Sequence, residues 1–267
     1  MAKHERWNAL LELLAGSGRV EVEEAAAALD VSAATIRRDL DELAEQRLLV
    51  RTRGGAVAHG VSYELPLRYK STRHAPEKRR IAAAVADLIA PGEVVGLNGG
   101  TTTTEVARAL AVRFAGERAE TPGAVPAAPA LTVVTNALNI AGELAVRPAV
   151  KLVTTGGVAR PQTYELVGPL TAGVLSEVVL DTVVLGVDGI DAELGVMAHQ
   201  EEEAAVSRLF AERASRVVVV TDSSKLGRRA FARICGIDRV DLLVTDTAVP
   251  AEAVTRFGEA GVKVLTV

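Results

Sequence analysis

Residues 31–57 read VSAATIRRDLDELAEQRLLVRTRGGAV, and a change of period inside this stretch decides the fold of the first part of the chain. Up to residue 46 the apolar residues recur at helical spacing. Ile36, Leu40 and Leu43 share one face, and Ser32 is suited to cap the N-terminus. From there LLVRTRGGAVA (48–58) reads as two short strands around a basic segment with paired glycines. Upstream, residues 3–15 place Trp7, Leu10, Leu11 and Leu14 at helical spacing, and VEVEEAAAALD (20–30) reads as a short alanine-rich helix. Three helices and a hairpin in so short a span predict a winged helix-turn-helix over residues 1–58.

The third helix carries the candidate DNA-reading face. At 100° per residue Ala34, Thr35 and Arg38 point away from the apolar face, with Arg37 on its flank. Arginine reads guanine with two hydrogen bonds, and threonine or alanine meets a thymine methyl. The helix N-terminus and Thr35 suit a phosphate. Asp41, Glu42 and Glu45 lie further along, away from the expected DNA. An ordinary solvated amphipathic helix would present the same wheel. Net charge is −4, yet residues 34–80 hold eleven Lys/Arg against six Asp/Glu. A local basic zone on an acidic chain fits a nucleic-acid module and fits a solvated linker equally well.

The same stretch closely resembles the signature of the DeoR family of bacterial transcription regulators. Ser32, Thr35, Ile36, Arg37, Arg38, Asp39, Leu40 and Leu43 fall on its helix motif, and Arg51, Gly54, Gly55 and Ala56 on its wing. The resemblance implies a winged helix-turn-helix followed by a sugar-phosphate-sensing α/β domain. It places Ser32, Ala34, Thr35, Arg37, Arg38, Arg51, Arg53, Gly54 and Gly55 at the DNA. Two positions depart from the family pattern. Arg47 stands where glycine is usual, at a cost of about 1 kcal/mol if that position needs φ > 0. Arg53 stands where histidine is frequent, which keeps the wing basic at every pH.

Residues 59–76 read as a linker and 77–267 as a second, α/β domain. EKRRIAAAVADLIA (77–90) has the pattern of its first helix. Near-continuous β-branched runs follow at 93–97, 131–135, 151–155, 181–187, 216–221, 242–245 and 262–267, as expected of strands buried on both faces of a mostly parallel sheet. Helical segments alternate with most of them. GERAETPGAVPAAPA (116–130) has the composition of an exposed loop.

In such sheets ligands bind beyond the carboxyl ends of the strands. Those ends are Asn98-Gly99-Gly100 with Thr101–Thr104, Thr135-Asn136, Thr154-Thr155-Gly156-Gly157, Asp188-Gly189 and Asp222-Ser223-Ser224-Lys225. They are small, hydroxylic or charged almost throughout, which marks a binding site. In NGGTTTT the glycines allow close approach, the helix N–H groups and dipole favour an anion, and Thr101, Thr102 and Thr103 add hydroxyl donors. The bland alternative is that the threonines only cap a helix. No lysine follows the last glycine, so this is not a nucleotide-hydrolysing loop. Lys225 is placed to meet a phosphate or a sugar hydroxyl, or is a surface lysine in a turn. Asp188 is placed to accept from sugar hydroxyls, or is a turn residue before Gly189.

GGTTT, VTNALNIA (134–141), TTGG (154–157), VGP (167–169), GVDGID (186–191), EEEAAVSR (201–208) and DSSK (222–225) resemble the DeoR-type sensor domain, which is similar in fold to ribose 5-phosphate isomerase. The resemblance implies a phosphorylated sugar effector held by Asn98, Gly99, Gly100, Thr101, Thr102, Thr103, Thr135, Asn136, Gly156, Gly157, Asp188, Gly189 and Lys225. Asn98 replaces a frequent aspartate and is expected to tune what is gripped. An isomerase would need a general base beside a C–H bond. Asp188, Asp191, Glu201 and Lys225 are available, but their spacing shows no committed acid/base pair. The favoured reading is a ligand-controlled DNA-binding regulator, with an isomerase bearing an attached module, or an α/β oligomer with a defunct site, as alternatives. A homo-oligomer, dimer or tetramer, is expected from half-site geometry and the family.

Several classes are set aside. One cysteine, Cys235, forms no intrachain disulfide and no cysteine zinc site, which fits a reducing cytoplasm. His4, His59, His74 and His199 show no ligand spacing, so no metal and no cofactor are expected. The apolar runs are too short for a membrane span, and the charged start lacks the pattern of a signal peptide.

Overall fold

The structure, a computed structural model, describes residues 2–45, 48–57, 67, 73–116 and 129–267. Most of the expected linker, most of the 116–130 loop, and Arg47 with its expected positive φ lie outside the described residues. The chain divides into two compact units, Met1–Arg73 and His74–Val267.

The first unit runs α1 (Lys3–Ser17), β1 (Arg19–Glu21), α2 (Val22–Leu29), α3 (Ala33–Glu45), β2 (Val50–Arg51) and β3 (Gly55–Val57), with an antiparallel sheet in the order β1-β3-β2. Trp7, Leu10, Leu11 and Leu14 pack with Ile36, Leu40, Leu43, Leu48 and Leu49 in one core. The expected helix over 20–30 begins two residues later, because Val20 and Glu21 pair with Ala56 and Gly55. That tertiary pairing outweighs the helical pattern of the local sequence. It also explains one of the paired glycines. A Cβ on Gly55 would stand 1.8 Å from the carbonyl oxygen of Val20.

The second unit is built on seven parallel strands. In chain order they are β4 (Val94–Leu97), β5 (Leu131–Thr135), β6 (Val150–Thr154), β9 (Leu180–Gly186), β12 (Ala214–Val220), β14 (Leu242–Thr245) and β15 (Lys263–Thr266), each close to an expected run. Two further elements, β7 (Val158–Ala159) and β8 (Leu166–Val167), form a hairpin. A small antiparallel sheet joins β10 (Gly189–Asp191), β11 (Gly195–Ala198) and β13 (Ala232–Cys235). The helices are α4 (Ala75–Leu88), α5 (Thr101–Arg113), α6 (Leu138–Leu144), α7 (Leu170–Ser176), α8 (Glu201–Arg213) and α9 (Ala251–Glu259). Buried residues of α4, α5 and α6 pack with Val184, Val218 and Val220 on one face. Those of α7, α8 and α9 pack with Val183, Val217 and Val219 on the other. Adjacent valines thus serve opposite cores, the period of two that a doubly covered sheet requires.

The strand order is β15-β14-β12-β9-β4-β5-β6. From β4 the chain moves outward through β5 to β6, then returns to the other side of β4 at β9 and moves outward again. The order therefore reverses between β4 and β9. Such a switch point leaves a crevice at the carboxyl ends of the two strands.

Candidate functional site

In the first unit Ser32 caps α3. Its Oγ accepts from the Thr35 amide at 3.1 Å and shares a hydrogen bond with the Thr35 hydroxyl at 2.8 Å. The cap fixes the first turn, with Ala34, Arg37 and Arg38 exposed. Arg37 pairs with Glu23 of α2 at 3.0 Å, both exposed, so solvent screens the pair. Arg38 makes no ion pair among the described residues. Arg51 has partners within the unit. It pairs with Asp41 of α3 at 2.6 Å and donates to the Gly55 carbonyl, which ties the hairpin to the helix. Arg53 and Gly54 are exposed at the turn between β2 and β3. Gly55 is buried and serves the close approach to Val20 rather than an outer surface.

Asp39, named above only as part of a motif, is an internal anchor. It is 2% exposed, accepts from Trp7 Nε1 at 2.9 Å, and forms a two-pronged ion pair with Arg6. The hydrogen bond to Asp39 raises the Arg6 pKa against the opposing effect of burial. Its helical position, one residue before Leu40, was the only signal that the side chain faces inward.

In the second unit the NGGTTTT turn lies at the switch point, where β4 runs into α5. Gly100 caps α5 with φ 144° and ψ 162°, a conformation that is essentially glycine's alone. The first N–H groups of the thirteen-residue helix have no carbonyl of their own helix to bond. The hydroxyls are less available than expected. Thr103 and Thr104 donate to the Gly100 carbonyl at 3.2 and 2.6 Å, and Thr104 also accepts from Asn139. The loop's donors toward a ligand are thus chiefly its backbone N–H groups, with Thr101 half-buried at the front and Thr102 buried beside it.

Asn98 turns inward. It is buried, donates to the Gly186 carbonyl at 2.9 Å and Ser207 Oγ at 3.0 Å, and accepts from the Gly186 amide at 2.8 Å. An aspartate lacks the two donors this position uses, so the amide suits a brace between β4, β9 and α8. Thr135 is likewise a brace. Its hydroxyl donates to Leu97 at 2.7 Å and accepts from Ala137 at 3.1 Å. Gly189 is small for a local reason, since its Cβ would stand 2.4 Å from the Arg228 carbonyl oxygen. Gly156 and Gly157, at φ 74° and 122°, turn the chain from β6 into β7, two strands from β4, and Gly157 abuts Val167 and Thr171.

Four expected features do meet at the crevice. Gly99 and Gly100 join β4 to α5 there. Asp188 follows β9, with its carboxylate accepting from the His199 amide at 2.9 Å. Lys225 donates to the Val187 carbonyl at 2.5 Å, which places its ammonium at the end of β9. Asn136 stands beside Asn98 and Gly99, because Leu97 and Thr135 are register partners. Glu165, absent from the expected set, packs directly on Gly99. It lies between TTGG and VGP, and only the topology brings it there. Beyond the carboxyl end of β12, beside β9, Asp222 is buried, which alone would raise its pKa. The Ser224 hydroxyl and the charges of Lys225, His74 and Lys78 prevail and hold it below the usual carboxylate value. Burial pushes the Cys235 thiol up to about 11, so it is protonated at neutral pH.

Among the described residues no group of three or more His, Cys, Asp or Glu side chains is placed to hold a metal ion, and no helix is long and apolar enough to cross a membrane. A family model for the DeoR-like helix-turn-helix domain matches residues 6–60, and one for the DeoR C terminal sensor domain matches 73–116 and 118–247. The chain is 36% identical over 267 residues to the HTH-type transcriptional regulator GlpR of Haloferax volcanii, covering 99% of this chain and 98% of that protein. It is 34% identical over 250 residues to the glycerol-3-phosphate regulon repressor of Escherichia coli, covering 94% and 93%. Among solved structures, ribose 5-phosphate isomerase A of Methanocaldococcus jannaschii aligns over 57% of this chain and 55% of that one, at 19% identity and a TM-score of 0.41.

Proposed function

Because the chain belongs to the DeoR family of transcription regulators, we propose that it represses genes of carbohydrate metabolism and releases their operators when a phosphorylated sugar occupies the β4/β9 crevice. The chain is a DNA-binding transcription regulator and not an enzyme. The capped first turns of α3 enter the major groove, with Arg38 toward a guanine edge, Ala34 toward a thymine methyl and the Ser32–Thr35 turn at a phosphate. Arg53 at the wing contacts the backbone and adds salt-dependent affinity without sequence information.

The observation that carries the sensor half of this reading is the coincidence of two features. The strand order reverses between β4 and β9, and the glycine turn with its outward N–H groups stands at that reversal. The phosphate sits at Gly99, Gly100, Thr101 and Thr102, with Lys225 supplying positive charge and Asp188 an acceptor for a hydroxyl. The protein acts as a dimer or tetramer, one α3 per half-site. The ligand favours the arrangement that spans half-sites poorly, by its differential affinity for the two states.

The test is a gel-shift titration on duplexes selected from a random pool, repeated with ribose 5-phosphate, glycerol 3-phosphate and glucose 6-phosphate, alongside thermal shifts with the same compounds. At least one compound should raise the melting temperature and weaken the DNA complex. Specific DNA binding that no phosphorylated sugar perturbs, in either assay, would overturn the sensor half.

A further inference from the structure

Between β12 and β13 the chain carries a loop that ends on an exposed aromatic ring. Phe231, the residue before β13, is 81% exposed. Arg228 and Arg229 precede it, both exposed and without an ion pair among the described residues. The loop is braced from below. The Gly227 amide donates to the Ile190 carbonyl at 2.8 Å and the Arg228 amide to the Lys225 carbonyl at 3.3 Å, while β13 pairs with β11 immediately after Phe231. The fold thus displays Phe231 on a fixed support. A lone apolar residue on a surface needs no explanation. An aromatic ring beside two unpaired arginines is the composition enriched where proteins meet one another.

A pocket of matching chemistry lies in the same region. It encloses about 270 Å³ between the β10–β11 turn, the segment after β12 and α9, with Leu226, Pro250, Ala253 and Phe257 as its apolar wall. Small-molecule sites run from roughly 300 to 1,000 Å³, so this volume suits a single large side chain. Asp191 and Glu252 add negative charge to the lining. Asp191 is served within its own chain: the Glu193 and Leu194 amides hold its carboxyl below the usual value against the effect of burial, and Arg256 and Arg229 add to that. Glu252, exposed in the first turn of α9, has no ion pair among the described residues. Loop and pocket are neighbours, since Gly227 belongs to the lining and the charge of Arg229 reaches Asp191. A projecting group beside a receptor is what an isologous two-fold contact requires, because each copy then offers both halves.

We propose that this patch is an interface between two copies of the chain, in which Phe231 of each enters the pocket of the other and Arg228 pairs with Glu252 of the partner subunit. This inference rests on the oligomer of the proposed function and names the surface that forms it. Arg228 stands three residues after Lys225, so the crevice lysine and the contact between copies share one hydrogen-bonded stretch of chain.

The experiment follows the molar mass of the full chain against concentration by sedimentation equilibrium. The wild type should be a dimer or tetramer. Phe231→Asp should lower the assembly by one step, tetramer to dimer or dimer to monomer, and Phe231→Ala should weaken that step by at least about thirtyfold, the loss expected for a buried aromatic anchor. Arg228→Glu and Glu252→Arg should each weaken it when present alone, by setting like charges together. Mixed in equal amounts, the two charge variants should associate again, since the reversed charges then meet across the contact. A pairing within one chain gives no such recovery. A monomeric wild type would overturn the oligomer reading and this inference with it. A wild-type oligomer that Phe231→Asp leaves intact would overturn the inference alone, as would charge variants that associate like the wild type or stay apart when mixed. If Phe231→Asp does not fold, the mixing experiment decides.

Discussion

Arg37 and Arg38 are adjacent in sequence and differently placed in space. Arg37 is drawn toward Glu23 of α2, whereas Arg38 points to solvent without an ion pair among the described residues. Arg38→Ala should therefore weaken operator binding by about 1–3 kcal/mol, the worth of one bidentate base contact. The melting temperature should stay unchanged, and a gel-shift titration reporting unaltered affinity would remove Arg38 from the base-reading role. Asp39 is the converse case. Removing it leaves the largely buried Arg6 and the Trp7 indole without their acceptor, so Asp39→Ala should destabilise the first unit by about 3–5 kcal/mol, the usual cost of breaking a buried pair from one side. Trp7 is the single tryptophan, so urea unfolding followed by its fluorescence reports on that unit alone. A loss below about 1 kcal/mol would mean the pair behaves as a surface one. The sequence made both arginines legible as outward-facing, since that follows from helical period. It did not show that Asn98 turns inward, because its partners Gly186 and Ser207 are set by pairing between distant segments.

At the scale of elements, legibility followed length and periodicity. The seven parallel strands were visible as β-branched runs because both faces of each are covered, and α3 because its apolar stripe is regular. β1, α7 and the β7–β8 hairpin were not, since two- or three-residue strands and a seven-residue helix take their identity from the partner they meet. That is why Glu165 was missed while the glycine turn was found. The turn itself depends on Gly100 at φ 144°. An alanine there carries strain of order 1–3 kcal/mol, which the loop relieves by rotating its N–H groups out of position. Gly100→Ala should thus abolish the melting-temperature rise produced by a sugar phosphate while specific DNA binding persists. An undiminished rise would place the ligand elsewhere.

At the scale of the whole molecule, two couplings are open to measurement. The first links charge to stability. Asp222 has a folded pKa below its ordinary value of 3.8, so the unfolded chain binds its proton more readily. Its contribution is fully present above the ordinary value and is lost as pH falls through the lower folded value. Asp222→Asn should lower the melting temperature at neutral pH and reduce the fall in stability below about pH 4, as followed by circular dichroism; an unchanged acid profile would show that the Ser224, Lys225, His74 and Lys78 surroundings do not select the charged form.

The second coupling links the two sites. If a sugar phosphate in the second unit weakens operator binding by the first, linkage requires operator DNA to weaken sugar-phosphate binding by the same factor, for allosteric proteins about 5–150-fold. Fluorescence anisotropy of labelled operator across a ligand series gives one factor, and calorimetry of the ligand with and without saturating operator gives the other. Equal factors are expected from a two-state switch whose states both ligands distinguish. Ligand release of DNA with no reciprocal effect of DNA on the ligand would violate that cycle. Complete mutual exclusion, in which saturating operator abolishes sugar-phosphate binding, would instead mean that the sugar phosphate occupies the DNA-binding face of the first unit, and Gly100→Ala would then leave the release intact.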